Sequence, residues 1–299
     1  MFFVYWFSRL IPKKKGLWIF GAWYGEKYGD NTKYLFEHIN KNEPDIRSVW
    51  LTRNQFAFDL INTKGYEVYL TYSLKGFLLS MRAEKVFITV GIKDVNRYAI
   101  NRKDVIMMWH GNTPIKKIVF DDTITRNNQS FLEKLLYLLF PFLGMTRFDG
   151  LATSGSEEAS KIFQSAFRAH EKQILLTGYP RNDTFFELNQ NAPLLEELES
   201  LRITNTSTVI YMPTHRKEGK GEISELLDID LNVLNQSLKS INAKLFIKLH
   251  FFHLKNLNFN NVSNIYFITD DDIDQDIYTV LAKFDMMITD FSSVHFDFL

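Results

Sequence analysis

Short apolar runs and longer amphipathic stretches alternate along most of the chain. Residues 17–20, 48–51, 67–70, 86–90 and 105–109 are apolar runs of strand length, and helix-length segments separate them. A helix is predicted from near Asp30, with Asp30 as its N-cap and Tyr34, Leu35, His38 and Ile39 on one face; another follows Ser73. The alternation restarts with a strand at 151–153, a helix at 156–167 and a strand at 174–177. Residues 188–206 are polar and rich in Leu and Glu, and a second series then opens. It has strands at 209–212, 244–248, 265–268 and 286–289, with helices near 229–240 and 275–283. Strands that are apolar throughout and alternate with helices imply parallel sheets covered on both faces. The expected fold is therefore α/β, with two Rossmann-like doubly wound domains at 16–190 and 207–299. Ligand would be taken in a crevice outside the carboxyl ends of their strands. The second series stops in the first turns of a helix with no later strand, which reads as an incomplete second domain. There is no internal repeat of fixed period.

Two segments do not fit this scheme. The apolar residues 1–11 precede Pro12 and the triplet Lys13-Lys14-Lys15. They are too few to cross about 30 Å of hydrocarbon, and the charge follows the apolar run, where a secretory signal would carry it first. Residues 1–15 read either as an interfacial anchor on an anionic membrane surface or as a first helix packed on the core. The stretch 131–143, an insertion within 130–145, is as apolar and is interrupted by Pro141; it reads either as a membrane-binding segment or as a core or partner-binding helix.

Composition narrows the function. Lys plus Arg number 35 and Asp plus Glu number 35, so no overall field favours a nucleic acid partner. With 45% hydrophobic and 23% charged residues, the chain is an ordinary globular one. Cysteine is absent, which excludes disulfides, thiolate metal sites and a cysteine nucleophile. The 27 Phe exceed what most cores of this size carry, and a lipid boundary would use part of the surplus.

Chemistry-bearing residues gather at predicted strand ends. His110 follows one strand directly and precedes Gly111-Asn112-Thr113-Pro114 and Lys116-Lys117; a buried structural histidine is the alternative reading. Tyr211-Met212-Pro213-Thr214-His215-Arg216-Lys217 ends another, and Arg216 offers a planar fork suited to phosphate. Lys248-Leu249-His250 ends a third. His250 and His253 lack a third ligand at metal-binding spacing, so no metal is expected. After the last strand, Thr289-Asp290-Phe291-Ser292-Ser293 places hydroxyls and backbone N–H groups at a helix start, which suits an anion or simply a cap. The glycines form neither a dinucleotide fingerprint nor a phosphate-binding P-loop, and no cofactor is expected. Cationic and hydroxyl groups with one histidine base suit group transfer from a phosphate-bearing ligand to a hydroxyl.

Trp109-His110-Gly111-Asn112-Thr113-Pro114 with Lys116-Lys117 resembles the WHGTPLKK signature of the CDP-glycerol glycerophosphotransferase family, with Asn112 as an added residue. Tyr24-Gly25 through Asp30-Asn31, Thr153-Ser154-Gly155-Ser156, Gly178-Tyr179-Pro180-Arg181-Asn182-Asp183, Pro213 to Arg216, Lys248 to His250 and Thr289 to Ser293 are similar to that family in the same order. The resemblance implies a GT-B architecture and transfer of glycerol phosphate or ribitol phosphate from CDP-glycerol or CDP-ribitol to a lipid-linked or teichoic-acid-like polymer. It also implies a peripheral place on the cytoplasmic face of the membrane. His110 would be the base and His250 a second catalytic histidine near the donor. Arg216, Thr289, Asp290, Ser292 and Ser293 would hold the donor, and Gly111, Thr113, Pro114, Lys116, Asp30 and Asn31 would support the acceptor side. A sugar transferase using a UDP or GDP donor and a non-catalytic scaffold of a polymer-assembly complex are the competing expectations.

Overall fold

In the computed structural model, residues 2–111, 117–122, 132, 135–136, 139–143, 147–186, 192–213, 230–249, 262–273, 276–290 and 292–299 are described. The chain divides into two compact units, Met1–Arg181 and Asn182–Leu299. The described residues 182–186 and 192–206 therefore belong to the second unit, although the sequence assigned residues up to 190 to the first domain. The reason is visible in helix Pro193–Ile203, whose Leu194, Leu195 and Leu198 are buried in that unit's core.

The first unit is built on seven parallel strands. They are β1 (Leu17–Phe20), β2 (Arg47–Thr52), β3 (Val68–Leu70), β4 (Lys85–Ile88), β5 (Asp104–Met107), β6 (Gly150–Thr153) and β7 (Ile174–Leu176). Their order is β3-β2-β1-β4-β5-β6-β7, so the direction of winding reverses between β1 and β4. That junction is where a doubly wound sheet opens a crevice at its carboxyl edge.

Side chains alternate across a strand, and both faces here are apolar. Ile19, Val49, Leu51, Val86, Ile88, Val105 and Met107 join one core cluster. Their neighbours Phe20, Trp50 and Phe87 join another on the opposite face. The second face is a layer of rings. Phe20 stacks on Phe87 at 4.8 Å, while Phe36 meets Phe20 at 5.3 Å and Trp50 at 5.5 Å, both edge-on. Part of the Phe surplus is thus core, each ring contributing roughly 1.5–3 kcal/mol by leaving water.

Helices α1 (Phe2–Ser8), α2 (Asp30–Asn42), α3 (Gln55–Thr63), α4 (Leu74–Arg82) and α5 (Glu157–Phe167) complete the described part of this unit. Ser73 caps α4 as expected, and Ser156, predicted as the first residue of its helix, is the cap of α5; they accept from Gly76 N at 3.1 Å and Ala159 N at 3.3 Å. For α2 the N-cap is Gly29, one residue earlier than predicted, because the Asp30 carboxylate is drawn into the site described below. Its buried face also differs from the expected one. Thr32, Phe36 and Ile39 point inward and His38 is exposed, since Phe36 fills the ring layer.

The second unit repeats the beginning of this topology. Its parallel strands β8 (Ser207–Met212), β9 (Ala243–Ile247), β10 (Ile265–Phe267) and β11 (Met286–Thr289) run in the order β10-β9-β8-β11, with the winding reversed between β8 and β11. Helices α6 (Pro193–Ile203), α7 (Leu231–Ser240) and α8 (Val294–Phe298) accompany them. The helix expected at 275–283 is replaced by two 3₁₀ turns, Ile277–Thr279 and Leu281–Lys283. Val280 and Leu281 are both 0% exposed, and Val280 breaks the spiral at φ −122°, so that neighbouring apolar residues both reach the core. Two Rossmann-like units of this kind are the GT-B type of architecture.

α1 packs on the unit with one face and leaves the other exposed. Tyr5 is 2% exposed and packs on Phe142 at 5.2 Å, and its hydroxyl accepts from Arg147. Asn101 Nδ2 donates to the Tyr5 carbonyl at 3.2 Å, and the Asn101 amide donates to Ser8 Oγ at 3.3 Å. The other face projects Phe3, Phe7 and Leu10, which are 84%, 56% and 75% exposed. Beside it Phe2 packs on Phe140 at 5.3 Å, and Leu132, Leu135, Leu136 and Leu139 of the apolar insertion are exposed. No helix among the described residues is long and apolar enough to cross a membrane.

Candidate active site

The sequence-selected residues of the first unit come together at the carboxyl ends of β1, β4 and β5, beside the reversal of winding. His110 lies three residues beyond β5, half-buried, with its ring 4.9 Å from that of Trp23. Trp23 follows β1, and its Nε1 donates to Asp30 Oδ2 at 3.2 Å. Asn31 is fully buried and its Nδ2 donates to the carbonyls of Met108 at 3.3 Å and Trp109 at 3.0 Å. The start of α2 is thereby tied to the backbone that leads into His110.

Arg181 completes this arrangement. Its Nη1 donates to Asp30 Oδ1 at 2.9 Å and to the carbonyl of His110 at 2.8 Å. The two side chains of the ion pair are 3% and 6% exposed. The Arg181 amide donates to Asn31 Oδ1 at 3.3 Å. A charge pair this deeply buried is tolerated only because its polar atoms are engaged on several sides.

A second buried carboxylate organises the neighbouring turns. Asp94, 0% exposed in the turn after β4, accepts from the amides of Tyr24 (2.7 Å), Thr89 (2.7 Å) and Val90 (2.9 Å) and from the Thr89 hydroxyl (3.1 Å). Burial pushes its carboxyl up to about 6 against the pull of these donors. The β1 turn comes close enough that a Cβ at Gly21 would lie 2.4 Å from the Asp94 carbonyl oxygen, so only glycine fits there. Trp23, Tyr24, Asp30 and Trp109 all have φ between 48° and 64°. Left-handed backbone at four bulky or polar residues around one histidine is strain concentrated at a site, held in place by the Asp94 and Arg181 contacts.

Asp30, Asn31, His110 and the buried Gly111 therefore share one site. Thr113, Pro114 and Lys116 lie outside the described residues. Trp23, Asp94 and Arg181 were not singled out from sequence. Arg181 stood within a recognised motif, but its role depends on a pairing across 151 residues that no local pattern shows.

In the second unit, Thr289, Asp290, Ser292 and Ser293 stand at the carboxyl end of β11, where β8 and β11 form that unit's own reversal. The Thr289 hydroxyl donates to the Met212 carbonyl at 2.5 Å and so fastens β11 to the end of β8. Ser293 occupies the N-cap of α8 without a side-chain capping bond, and His295 Nδ1 lies 2.8 Å from the Ser292 carbonyl oxygen. Arg216 and His250 lie outside the described residues. Among the described residues no group of three metal-ligating side chains occurs.

The chain is similar to known proteins along its whole length. The sequence profile described as CDP-Glycerol:Poly(glycerophosphate) glycerophosphotransferase matches residues 2–299. The teichoic acid glycerol-phosphate transferase of Staphylococcus aureus is 27% identical over 99% of this chain and 75% of its own length. The teichoic acid poly(glycerol phosphate) polymerase of Bacillus spizizenii is 28% identical over 97% of this chain and 72% of its own. Among solved structures, a histidine-to-asparagine variant of the wall teichoic acid polymerase TagF with CDPG superposes with a TM-score of 0.72 at 26% identity, covering 96% of this chain and 68% of that one.

Proposed function

Because the chain belongs to the CDP-glycerol:poly(glycerophosphate) glycerophosphotransferase family, we propose that it transfers glycerol phosphate or ribitol phosphate from a CDP-activated donor to a teichoic-acid-like polymer, with His110 as the base. The acceptor hydroxyl oxygen attacks the phosphorus that bears the polyol. Its proton passes to the His110 imidazole, a side chain whose ordinary pKa lies near neutrality. The bond from that phosphorus to the bridging oxygen breaks, and CMP leaves with the electron pair.

The observation that carries this reading is the anchoring of His110. Its carbonyl is held by Arg181 and its ring lies against Trp23, while the ring stays half-buried at a strand's carboxyl end. A base must keep a fixed orientation yet remain within reach of a substrate hydroxyl, and this setting provides both. Asp30 and Asn31 act through that backbone, and we assign Gly111, Thr113, Pro114 and Lys116 to the acceptor side. On the donor side, we assign Arg216, His250, Ser292 and Ser293 to the two phosphates, with Thr289 and Asp290 at the carboxyl end of β11 beside the serines. A guanidinium and a set of hydroxyl and backbone donors match a diphosphate in charge and direction.

The exposed rings of α1 and the exposed leucines of the insertion support a peripheral place on the cytoplasmic face of the membrane and a lipid-linked acceptor as part of the same reading. The deciding experiment is a donor screen with a soluble acceptor analogue. CMP release from CDP-glycerol or CDP-ribitol is expected. Turnover only with a UDP- or GDP-sugar, releasing a nucleoside diphosphate, would overturn the reading.

A further inference from the structure

At the amino-terminal end of β5, the opposite end of that strand from His110, the segment after α1 and the loop before β5 surround a cavity of about 570 Å³. Five cations line it: Arg9, Lys13, Arg102, Lys103 and Arg147. Only two carboxylates, Asp104 and Asp149, stand among them. Both are engaged, Asp104 with Lys13 at 2.7 Å and Asp149 with the Val105 amide at 2.9 Å. Lys103 is 3% exposed, and its Nζ donates to the Ile11 carbonyl at 3.3 Å. Burial, together with the nearby Lys13, pushes its amine down to about 8. Arg9 and Arg102 form no ion pair with any described residue. Concentrating cations in a half-enclosed space opposes folding unless an anion enters, and guanidinium groups are matched by the oxygens of a phosphate.

We propose that this cavity binds the phosphate of an anionic lipid headgroup and thereby sets the depth and orientation of α1 at the membrane. The proposal rests on the reading that the exposed face of α1 meets lipid. The rim argues for a lipid over a free phosphate. Leu10 and Ile11 line the cavity, and Leu10 extends the exposed apolar face of Phe3 and Phe7. A phosphate held here would therefore lie just beneath acyl chains that those side chains enter. The four residues of β5, about 13 Å of strand, separate the cavity from the His110 end, so the lipid bound here is an anchor and not the acceptor.

The test is co-sedimentation with phosphatidylcholine vesicles, pure or containing phosphatidic acid, at constant ionic strength. The wild-type chain is compared with R9Q/R102Q and with K14Q/K15Q. All four positions are exposed, and the second pair removes equal charge from the same segment outside the cavity. R9Q/R102Q is expected to lose about tenfold of the preference for phosphatidic acid, while K14Q/K15Q keeps most of it, and binding to pure phosphatidylcholine stays the same in all three. Equal losses in both variants would mean diffuse attraction and overturn the cavity. Equal wild-type binding to both vesicles would also overturn it while leaving α1 as a lipid-facing element. Failure to bind either vesicle would overturn the α1 reading together with the proposal. Inorganic phosphate that raises the thermal midpoint as much as a soluble short-chain phosphatidic acid, with vesicle preference unchanged in R9Q/R102Q, would assign the cavity to free phosphate instead.

Discussion

Arg181 Nη1 lies 2.8 Å from the carbonyl oxygen of His110, so a residue beyond β7 holds the backbone of the third residue after β5. The same nitrogen meets Asp30 at the start of α2. Three elements distant in sequence are thus fixed to one another through one guanidinium.

Arg181→Ala is expected to destabilise the first unit by about 3–5 kcal/mol, because Asp30 would remain buried as an unpaired charge. Urea unfolding gives the value. The double variant with Asp30→Asn should lose clearly less than the sum of the single losses; additive losses would show that the pair is not coupled.

His110→Ala should lower turnover about 10²- to 10⁴-fold while donor affinity is retained. CMP release and equilibrium binding of CDP-glycerol separate the two quantities. Near-parental turnover, or loss of donor binding, would move the role of base elsewhere.

Arg216→Ala and Ser293→Ala should each weaken CDP-glycerol binding, by about tenfold for a lost charge-assisted contact, and leave the unfolding transition in place. Unchanged affinity in both would remove the donor phosphates from this strand end.

Asp94 confers a pH dependence on stability whose sign follows from its raised pKa. The ordinary value of an aspartate is about 3.9 in an unfolded chain, whereas burial raises the folded one to about 6. Between these values the folded state binds the extra proton, so the contribution is complete below about 4 and is lost as pH rises through 6. The change is on the order of 3 kcal/mol across that window. Unfolding of the wild type and Asp94→Asn at a series of pH values checks this. The difference in stability between the two should shift toward the variant as pH rises.

Phe3→Gln with Phe7→Gln should reduce partition onto vesicles about tenfold or more, since each exposed ring that enters lipid contributes on the order of 1 kcal/mol or above. Flotation measures it. Tyr5→Ala, by contrast, should loosen α1 from the unit, because Tyr5 is the large buried side chain of that helix.

The sequence by itself determined the strands, their parallel arrangement in two units, the start of α4 after Ser73 and the strand-end address of His110. These follow from period, turn chemistry and apolar runs, which act over a few residues and can be read locally. It also presented Asp30 and Asn31 as a motif, though not what they hold. Tertiary structure alone decided that the Asp30 carboxylate would turn from capping α2 to Arg181, that Phe36 would take the inward face of that helix, and that Asp94 would gather the turns after β1 and β4. It likewise broke 275–283 into two 3₁₀ turns, because Val280 and Leu281 both had core to reach. In each case the partner lies far along the chain or is a packing surface. A buried charge or ring takes the position where its desolvation is best offset, and that position exists only once the sheet has brought the strand ends together.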